Sequence, residues 1–411
     1  MFGPARRAPA ARRTQRGTGL RYNRMMLDYS TITAALEDLG EPRYRADQVY
    51  RSLTRDYAAD FQSMTVLPAR LRAALAERLA AHQLEEVQTL TGQRGDAVKT
   101  LFAAADGAQV EAVLMRYAQR ATVCVSSQVG CAVRCAFCAS GKRGQRRNLS
   151  AEEMVDQVLY FARLLQAEER RVSNVVFMGM GEPFHNYDET LRACRLLNDP
   201  DGFGLAARGI SVSTVGVVPA IERFAREPLQ LNLAVSLHAA TDTLRDRLVP
   251  LNKTYPLKEL MAACRRYVVR TRRKLFFEYV VLADVNDTSE QAAALAKLLA
   301  RPLYHLNLIA FNETGGRFKR PSPERLAGFR TALEQAGVDV TVRRSPGADI
   351  EAACGQLIMR ATHNRRPPGG APNREDAAVT AAQSDGGAAA APAGVAEPEG
   401  APGPAIGDRL D

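Results

Sequence analysis

The chain has 411 residues, 46% apolar and 24% charged, enough for a large core with a small second domain. Its net charge is +10, which suits a polyanionic partner such as RNA. No apolar run approaches the ~20 residues that cross a bilayer, and the start has no apolar core of a secretory signal. Seven cysteines, an odd number with three inside eight residues, exclude a disulfide framework and suit a reducing cytoplasm.

Residues 1–24 carry seven Arg and no acid, so residues 1–25 read as a disordered basic arm. Residues 26–90 read as a small helical domain, with Leu36, Leu39, Val49, Leu53, Leu67, Leu71 and Leu75 near helical spacing. In 91–120, two alternating stretches (98–102 and 109–115) flank the turn Asp106–Gly107 and predict a β-rich connector. From 121 to 358 strands and helices alternate. Strands are expected at 122–127, 174–178, 210–215, 231–237, 275–282 and 305–311, with a seventh at 339–343.

Helix starts are legible as well. Ser150 with Glu153 forms a capping box, Asp287 with Glu290 reads the same way, and a third helix has Ser322 and Pro323 at its start and Gly337 at its end. Alternation of this kind implies a parallel sheet with right-handed crossovers, and six units make a partial (β/α)6 barrel. Residues 359–411, rich in Ala, Gly and Pro, read as a disordered tail.

The most informative run is C-x-x-x-C-x-x-C at Cys131, Cys135 and Cys138. Thiolates are soft ligands for iron–sulfur clusters, and three on a four-iron cluster leave one iron open. Competing readings are a zinc knuckle, which needs a fourth ligand where no histidine lies near, and chance crowding of buried cysteines. Active residues of parallel barrels lie at the C-terminal ends of strands. There stand Gly179, Gly181 and Glu182, then Ser213, Ser236 to His238, and Asn312. The glycines are expected to let a ligand approach the backbone, and Glu182 to meet an ammonium. Each strand end alone reads as a turn cap; together, beside the cysteines, they suggest a pocket.

Cys124 lies on the first barrel strand and Cys354 in a loop of small residues, where a thiol could act as a nucleophile. Cys194 and Cys264 sit in helical patterns and read as core. Glu111, in an alternating strand, reads by itself as solvent-facing. Lys142, Arg143, Arg146 and Arg147 after the cysteines, with Arg12, Arg13 and Arg16 of the arm, are candidate phosphate contacts.

These motifs, taken in order from Val125 through Cys138, Gly179–Pro183, Ser213–Gly216, Ser236–His238 and Ala352–Leu357, resemble the RlmN/Cfr family of radical S-adenosylmethionine (SAM) RNA adenine methyltransferases. The resemblance covers roughly residues 28–358. It implies an α/β fold, a partial (β/α)6 TIM-like radical SAM barrel with a small N-terminal helical accessory domain. It implies one 4Fe-4S cluster on Cys131, Cys135 and Cys138, and two SAM molecules per turnover. By the same resemblance Cys354 is methylated by the first SAM. The second yields a 5′-deoxyadenosyl radical that takes a hydrogen from that methyl, and the resulting radical adds to an adenine carbon. Cys124 then forms a disulfide with Cys354 to release the base. Glu111, thirteen residues ahead of Cys124, matches the family's general base, which replaces the solvent-facing reading. Gly181, Glu182, Ser213, Ser236, Leu237, His238 and Asn312 would contact SAM. The implied substrates are the adenine of the 23S rRNA peptidyl-transferase centre and adenosine 37 of tRNA, methylated at C2. The implied partners are these RNAs and an electron donor such as flavodoxin or ferredoxin, with the enzyme a monomer free of membranes. Two alternatives stand beside this: a Cfr-like C8 methyltransferase of the same adenine, and a non-catalytic RNA-binding protein with a structural metal.

Overall fold

A computed structural model of the chain describes residues 29–357. The expected basic arm and Ala/Gly/Pro-rich tail, with Arg12, Arg13 and Arg16, lie outside the described residues. Three helices open the fold: α1 (Tyr29–Asp38), α2 (Tyr44–Thr54) and α3 (Ala69–Arg78). Their apolar spacing buries Ile32, Leu36, Val49, Leu53, Leu71 and Leu75. The Tyr50 hydroxyl donates to Asp199 at 2.7 Å, and Arg55 Nε to the Gly202 carbonyl at 3.0 Å, which anchors α2 to the rest of the chain.

Three antiparallel strands follow, β1 (Leu84–Thr91), β2 (Ala97–Ala104) and β3 (Gln109–Arg116). Strand β1 corrects the helical reading of residues 84–90: Leu84, Val87 and Leu90 mimic a helical period, but the segment pairs with β2 at a sheet edge. Its start is held by Asp156, which accepts from the amides of Gln83 and Leu84 and from His82. Next come β4 (Ala121–Cys124), β5 (Gln128–Gly130), α4 (Ala139–Lys142) and β6 (Gln145–Asn148). After them run α5 (Ala151–Gln166), β7 (Asn174–Phe177), α6 (Tyr187–Asn198), β8 (Ile210–Thr214), α7 (Val218–Phe224) and β9 (Asn232–Ser236). The fold closes with α8 (Asp242–Leu248), α9 (Leu257–Thr271), β10 (Leu275–Val281), α10 (Ser289–Leu299), β11 (Tyr304–Ala310), α11 (Pro323–Gln335) and β12 (Val340–Val342).

One ten-stranded sheet runs β1-β2-β3-β4-β7-β8-β9-β10-β11-β12, and β5 and β6 form a separate hairpin. Strands β4, β7, β8, β9, β10 and β11 are mutually parallel, with β12 parallel to β11. The six expected units are therefore present as a partial barrel, extended by β1–β3 on one edge. Their C-terminal ends share one rim, which is where the sequence motifs fall. No helix among the described residues is long and apolar enough to cross a membrane.

The capping box at Ser150 is formed, with Glu153 N donating to Ser150 Oγ at 3.2 Å and Ser150 N to Glu153 Oε2 at 2.8 Å. At α10 the cap is Thr288, which accepts from Gln291 N at 3.3 Å, one residue later than the sequence suggested. Asp287 instead pairs with Arg325 at 2.9 Å. Replacement of Ser150 by Ala is expected to cost about 1 kcal/mol, read as a lower urea midpoint with an unchanged slope.

Candidate active site

The cysteine loop is stitched in place from several sides. Cys131 N donates to the Gly144 carbonyl at 2.9 Å, Ala136 N to the Leu248 carbonyl of α8 at 2.9 Å, and Ala139 N to the Gly355 carbonyl at 2.8 Å. Gly130 stands at φ +79°, and a Cβ there would meet the Gly144 oxygen at 1.8 Å, so only glycine closes this loop. The three cysteines pack against an apolar cluster containing Val133, Phe137, Leu244, Leu248 and Phe311. Burial pushes the Cys131 thiol up to about 11 and raises that of Cys135, and the three thiols lie within one another's electrostatic reach. Among the described residues no three His, Cys, Asp or Glu side chains gather tightly enough to hold a single ion. Three thiolates in one loop fall one short of the four ligands a structural zinc takes, whereas a four-iron cluster can take three and leave one iron open.

Beside this loop the rim encloses a cavity. Cys124, Cys138, Gly181, Glu182, Ser213, Ser236, His238, Glu278, Arg343 and Cys354 all line it. Five of the seven residues expected to contact SAM are thus brought together. Leu237 and Asn312 do not line the cavity. The Leu237 side chain is fully buried. Asn312 accepts from Arg320 at 3.0 Å through Oδ1, and its buried Nδ2 has no partner.

Burial raises Glu182 to about 7. Backbone amides oppose this: Val215 N donates to Oε2 at 2.8 Å and Phe184 N to Oε1 at 3.0 Å. His238 sits at φ +61°, and its Nδ1 accepts from Val280 N at 3.1 Å, which leaves the proton on Nε2. Burial, helped by the charge of Arg245, pushes its pKa down to about 3, so the ring is neutral. The glycines of the 179–183 run have a packing role as well. A Cβ at Gly179 would lie 2.7 Å from the Val125 oxygen, and one at Gly181 2.7 Å from Gln128 Cβ. Both glycines thus pack closely against residues 125–128, and both also line the cavity.

Several functional groups escaped sequence reasoning because they look like ordinary surface charges. Arg245 is buried and donates to the carbonyls of Leu237 (3.0 Å), Val215 (2.5 Å) and Ser236 (3.2 Å), and to Asn252 Oδ1 (2.9 Å). Arg343 pairs with buried Glu278 at 3.1 Å, and Glu278 also accepts from Asn307 at 2.9 Å. All seven cysteines are free. Cys194 and Cys264 are buried core residues, as expected. Cys124 is raised to about 12 by burial and then by Cys354, with Arg343 pulling it down. Cys354 keeps solvent contact through the cavity, but protein surrounds it closely enough that burial is the leading cause of its raised pKa; Arg343 again opposes.

Glu111 does not line the cavity. It is buried, with its carboxylate 3.3 Å from Lys99 Nζ. The loop cations divide as well. Arg147 is committed to Asp106 and Glu153, each at 2.8 Å, and so is removed from the phosphate contacts expected. Lys142 donates to the carbonyls of Thr314 and Gly315, while Arg143 and Arg146 are exposed.

Comparison with known proteins places this geometry. The Radical SAM superfamily matches residues 125–296, and a ribosomal RNA large subunit methyltransferase N-terminal domain matches 22–80. A probable dual-specificity RNA methyltransferase RlmN of Symbiobacterium thermophilum is 47% identical over 328 residues, 79% of this chain and 88% of that protein. The chain belongs to the RlmN family of radical SAM enzymes. A relative from Nitrosopumilus maritimus, described as ribosomal RNA large subunit methyltransferase N, is 42% identical, covering 78% of this chain and 93% of its own. The crystal structure of a radical SAM methyltransferase from Sphaerobacter thermophilus superposes with TM-score 0.79 at 50% identity, covering 82% of this chain and 99% of that one. RlmN-family membership thus rests on the whole described fold.

Because the Arg343 charge lowers both cavity thiols, its loss has a definite sign. In Arg343→Met the Cys354 pKa rises, the thiolate fraction falls, and alkylation by iodoacetamide at fixed, mildly alkaline pH slows. Mass spectrometry of the Cys354 peptide measures this.

Proposed function

We propose that this chain methylates C2 of an adenine in the peptidyl-transferase centre of 23S rRNA, and of adenosine 37 in tRNA, with Cys354 as methyl carrier and Cys124 as resolving thiol. The observation that carries the reading is one cavity lined by both of these thiols, by Cys138 of the cluster loop and by five residues expected to hold SAM. A structural metal protein would have no use for two lone thiols there. The names of the relatives, a dual-specificity RNA methyltransferase and a ribosomal RNA large subunit methyltransferase, support an RNA substrate.

Cys131, Cys135 and Cys138 would hold the cluster as thiolates: burial alone keeps the first two protonated, and iron binding would displace those protons. Bound there, the cluster and SAM supply the one-electron chemistry needed to functionalise an electrophilic ring carbon. The chain's own residues do the rest. Gly181, Glu182, Ser213, Ser236 and His238 form the wall that would orient SAM. The unpartnered Asn312 Nδ2 offers a donor just past the end of β11. Arg343 biases the two thiols toward thiolate, which favours Cys354 in accepting the methyl and Cys124 in attacking the Cys354 sulfur. Glu111 serves as proton acceptor. Arg143 and Arg146, exposed beside the cysteine loop, face the RNA phosphates, and an electron donor of the flavodoxin or ferredoxin type reduces the cluster.

Two measurements test this. Reconstituted enzyme is given a 23S rRNA fragment or tRNA, and the methylated nucleoside is identified by mass spectrometry. 2-Methyladenosine is the expected product; 8-methyladenosine would overturn the C2 assignment. Cys354→Ala should yield no product and no protein methylation. Cys124→Ala should keep the fold and accumulate a covalent protein–RNA band on a denaturing gel. A folded, cluster-loaded Cys124→Ala enzyme without that band would remove Cys124 from the mechanism.

Glu182 predicts a pH dependence for SAM affinity. With its pKa near 7, it is ionised above neutrality and ready to accept from the SAM amino group; below, a proton occupies it. Affinity should weaken as pH falls below about 7, approaching tenfold per pH unit, and Glu182→Gln should flatten that limb. Calorimetric titration across this range measures it.

A further inference from the structure

Outside the cavity wall, a buried ion pair stands on the antiparallel edge of the sheet. Lys99 on β2 and Glu111 on β3 are both buried, their side chains 3% exposed and 3.3 Å apart. Leu101 pairs with Glu111 and Lys99 with Val113, so the two charges are diagonal neighbours on one face. Val113 pairs in turn with Cys124, which puts the same face in line with the resolving thiol. Taking two charges out of water carries a cost that their attraction often fails to offset, so stability alone is a weak reason for the pair. The pair therefore calls for a third element.

That element is the Cys354 loop. Lys99 Nζ also donates to the Glu351 carbonyl at 3.3 Å, three residues before Cys354. The turn ahead of β2 grips the same loop, with Gln93 N donating to Asp349 Oδ2 at 2.7 Å. The loop pairs with no strand. Its backbone turns through left-handed residues at Gly347, Glu351 and Gly355, and its internal hydrogen bonds, such as Ala352 N to the Gly347 carbonyl at 2.8 Å, are local. Contacts made by other elements thus set where it lies.

We propose that Lys99 is a positioning residue that yokes the Glu111 carboxylate to the backbone of the Cys354 loop, so that proton acceptor and carrier thiol keep a fixed relation. This rests on the roles given above to Glu111 and Cys354. Neither side chain needs to leave its sheet for the yoke to work; the Lys99 ammonium reaches both. The loop is also tied to the cysteine loop through Ala139 N and the Gly355 carbonyl, so the yoke extends to the cluster side of the cavity.

The test uses full-length Lys99→Met, Lys99→Arg and the charge-neutral double variant Lys99→Met/Glu111→Gln, which keeps a folded protein available should Lys99→Met fail to fold. Hydrogen exchange is read first, because it needs neither RNA nor turnover. In whichever charge-deleted variant folds, amides of 347–355 should exchange at least roughly tenfold faster, while those of β7 to β11 stay unchanged. Product formation per folded, cluster-loaded enzyme should fall by at least about tenfold in Lys99→Met, and Lys99→Arg, which keeps the charge, should recover most of it; the double variant also lacks the Glu111 carboxylate and is judged by exchange alone. Unchanged loop exchange in a folded charge-deleted variant overturns the proposal. So does a loss of product matched by an equal loss of folded or cluster-loaded protein. A wild-type enzyme that methylates no adenine would overturn the functional reading instead, while the exchange result would still judge the yoke.

Discussion

One buried guanidinium holds the working end of the barrel together. Parallel strands leave carbonyls at their C-terminal ends without sheet partners, and buried carbonyls must be satisfied. Arg245 answers three of them at once, at Val215, Ser236 and Leu237, and rests on Asn252, which Asp242 and Asp246 orient at 2.9 and 2.7 Å. Its helix, α8, also accepts the Ala136 amide of the cysteine loop through Leu248. The strand ends that would orient SAM and the loop that would hold the cluster therefore share one support. Burial lowers the pKa of Arg245 only to about 10, so it stays charged and bears on Cys135 and His238.

Charge inside the cavity is arranged sparingly. Burial drives the thiols and Glu182 toward their neutral forms, and one cation, Arg343, biases the two lone cysteines the other way while Glu278 holds it. The site is thus prepared for partners that bring their own positive charge or metal. Arg143 and Arg146 stay exposed outside it, and Arg147 is neutralised by Asp106 and Glu153.

Much of this was legible in the sequence. The strand–helix alternation, the Ser150 cap, the cysteine loop and the polar strand ends are local patterns, and each folds as read. Strand β1 was not legible, because an edge strand with few buried residues carries little alternation and is defined by pairing with β2. The supporting charges were hidden for a related reason. Lys99 meets a carbonyl 252 residues away and Arg343 a carboxylate 65 residues away, and nothing local distinguishes either from a solvated side chain. The glycines at 179 and 181 were visible, but their tight packing was not: the atoms that exclude a Cβ belong to residues 125–128, some fifty positions earlier in the chain. Leu237 and Asn312 show the converse, since resemblance placed them at the ligand while their side chains lie off the cavity wall.

The central claim is that the methyl group reaches RNA by way of Cys354 and not directly from SAM. Turnover with SAM bearing a fully deuterated methyl group decides it. Passage through Cys354 requires one hydrogen to leave the methyl before the carbon bond forms, so the methyl on the RNA adenine should carry one deuterium fewer than the donor, with the last position filled from solvent. An adenine methyl that keeps every deuterium would mean direct displacement, and the carrier role of Cys354 would be wrong.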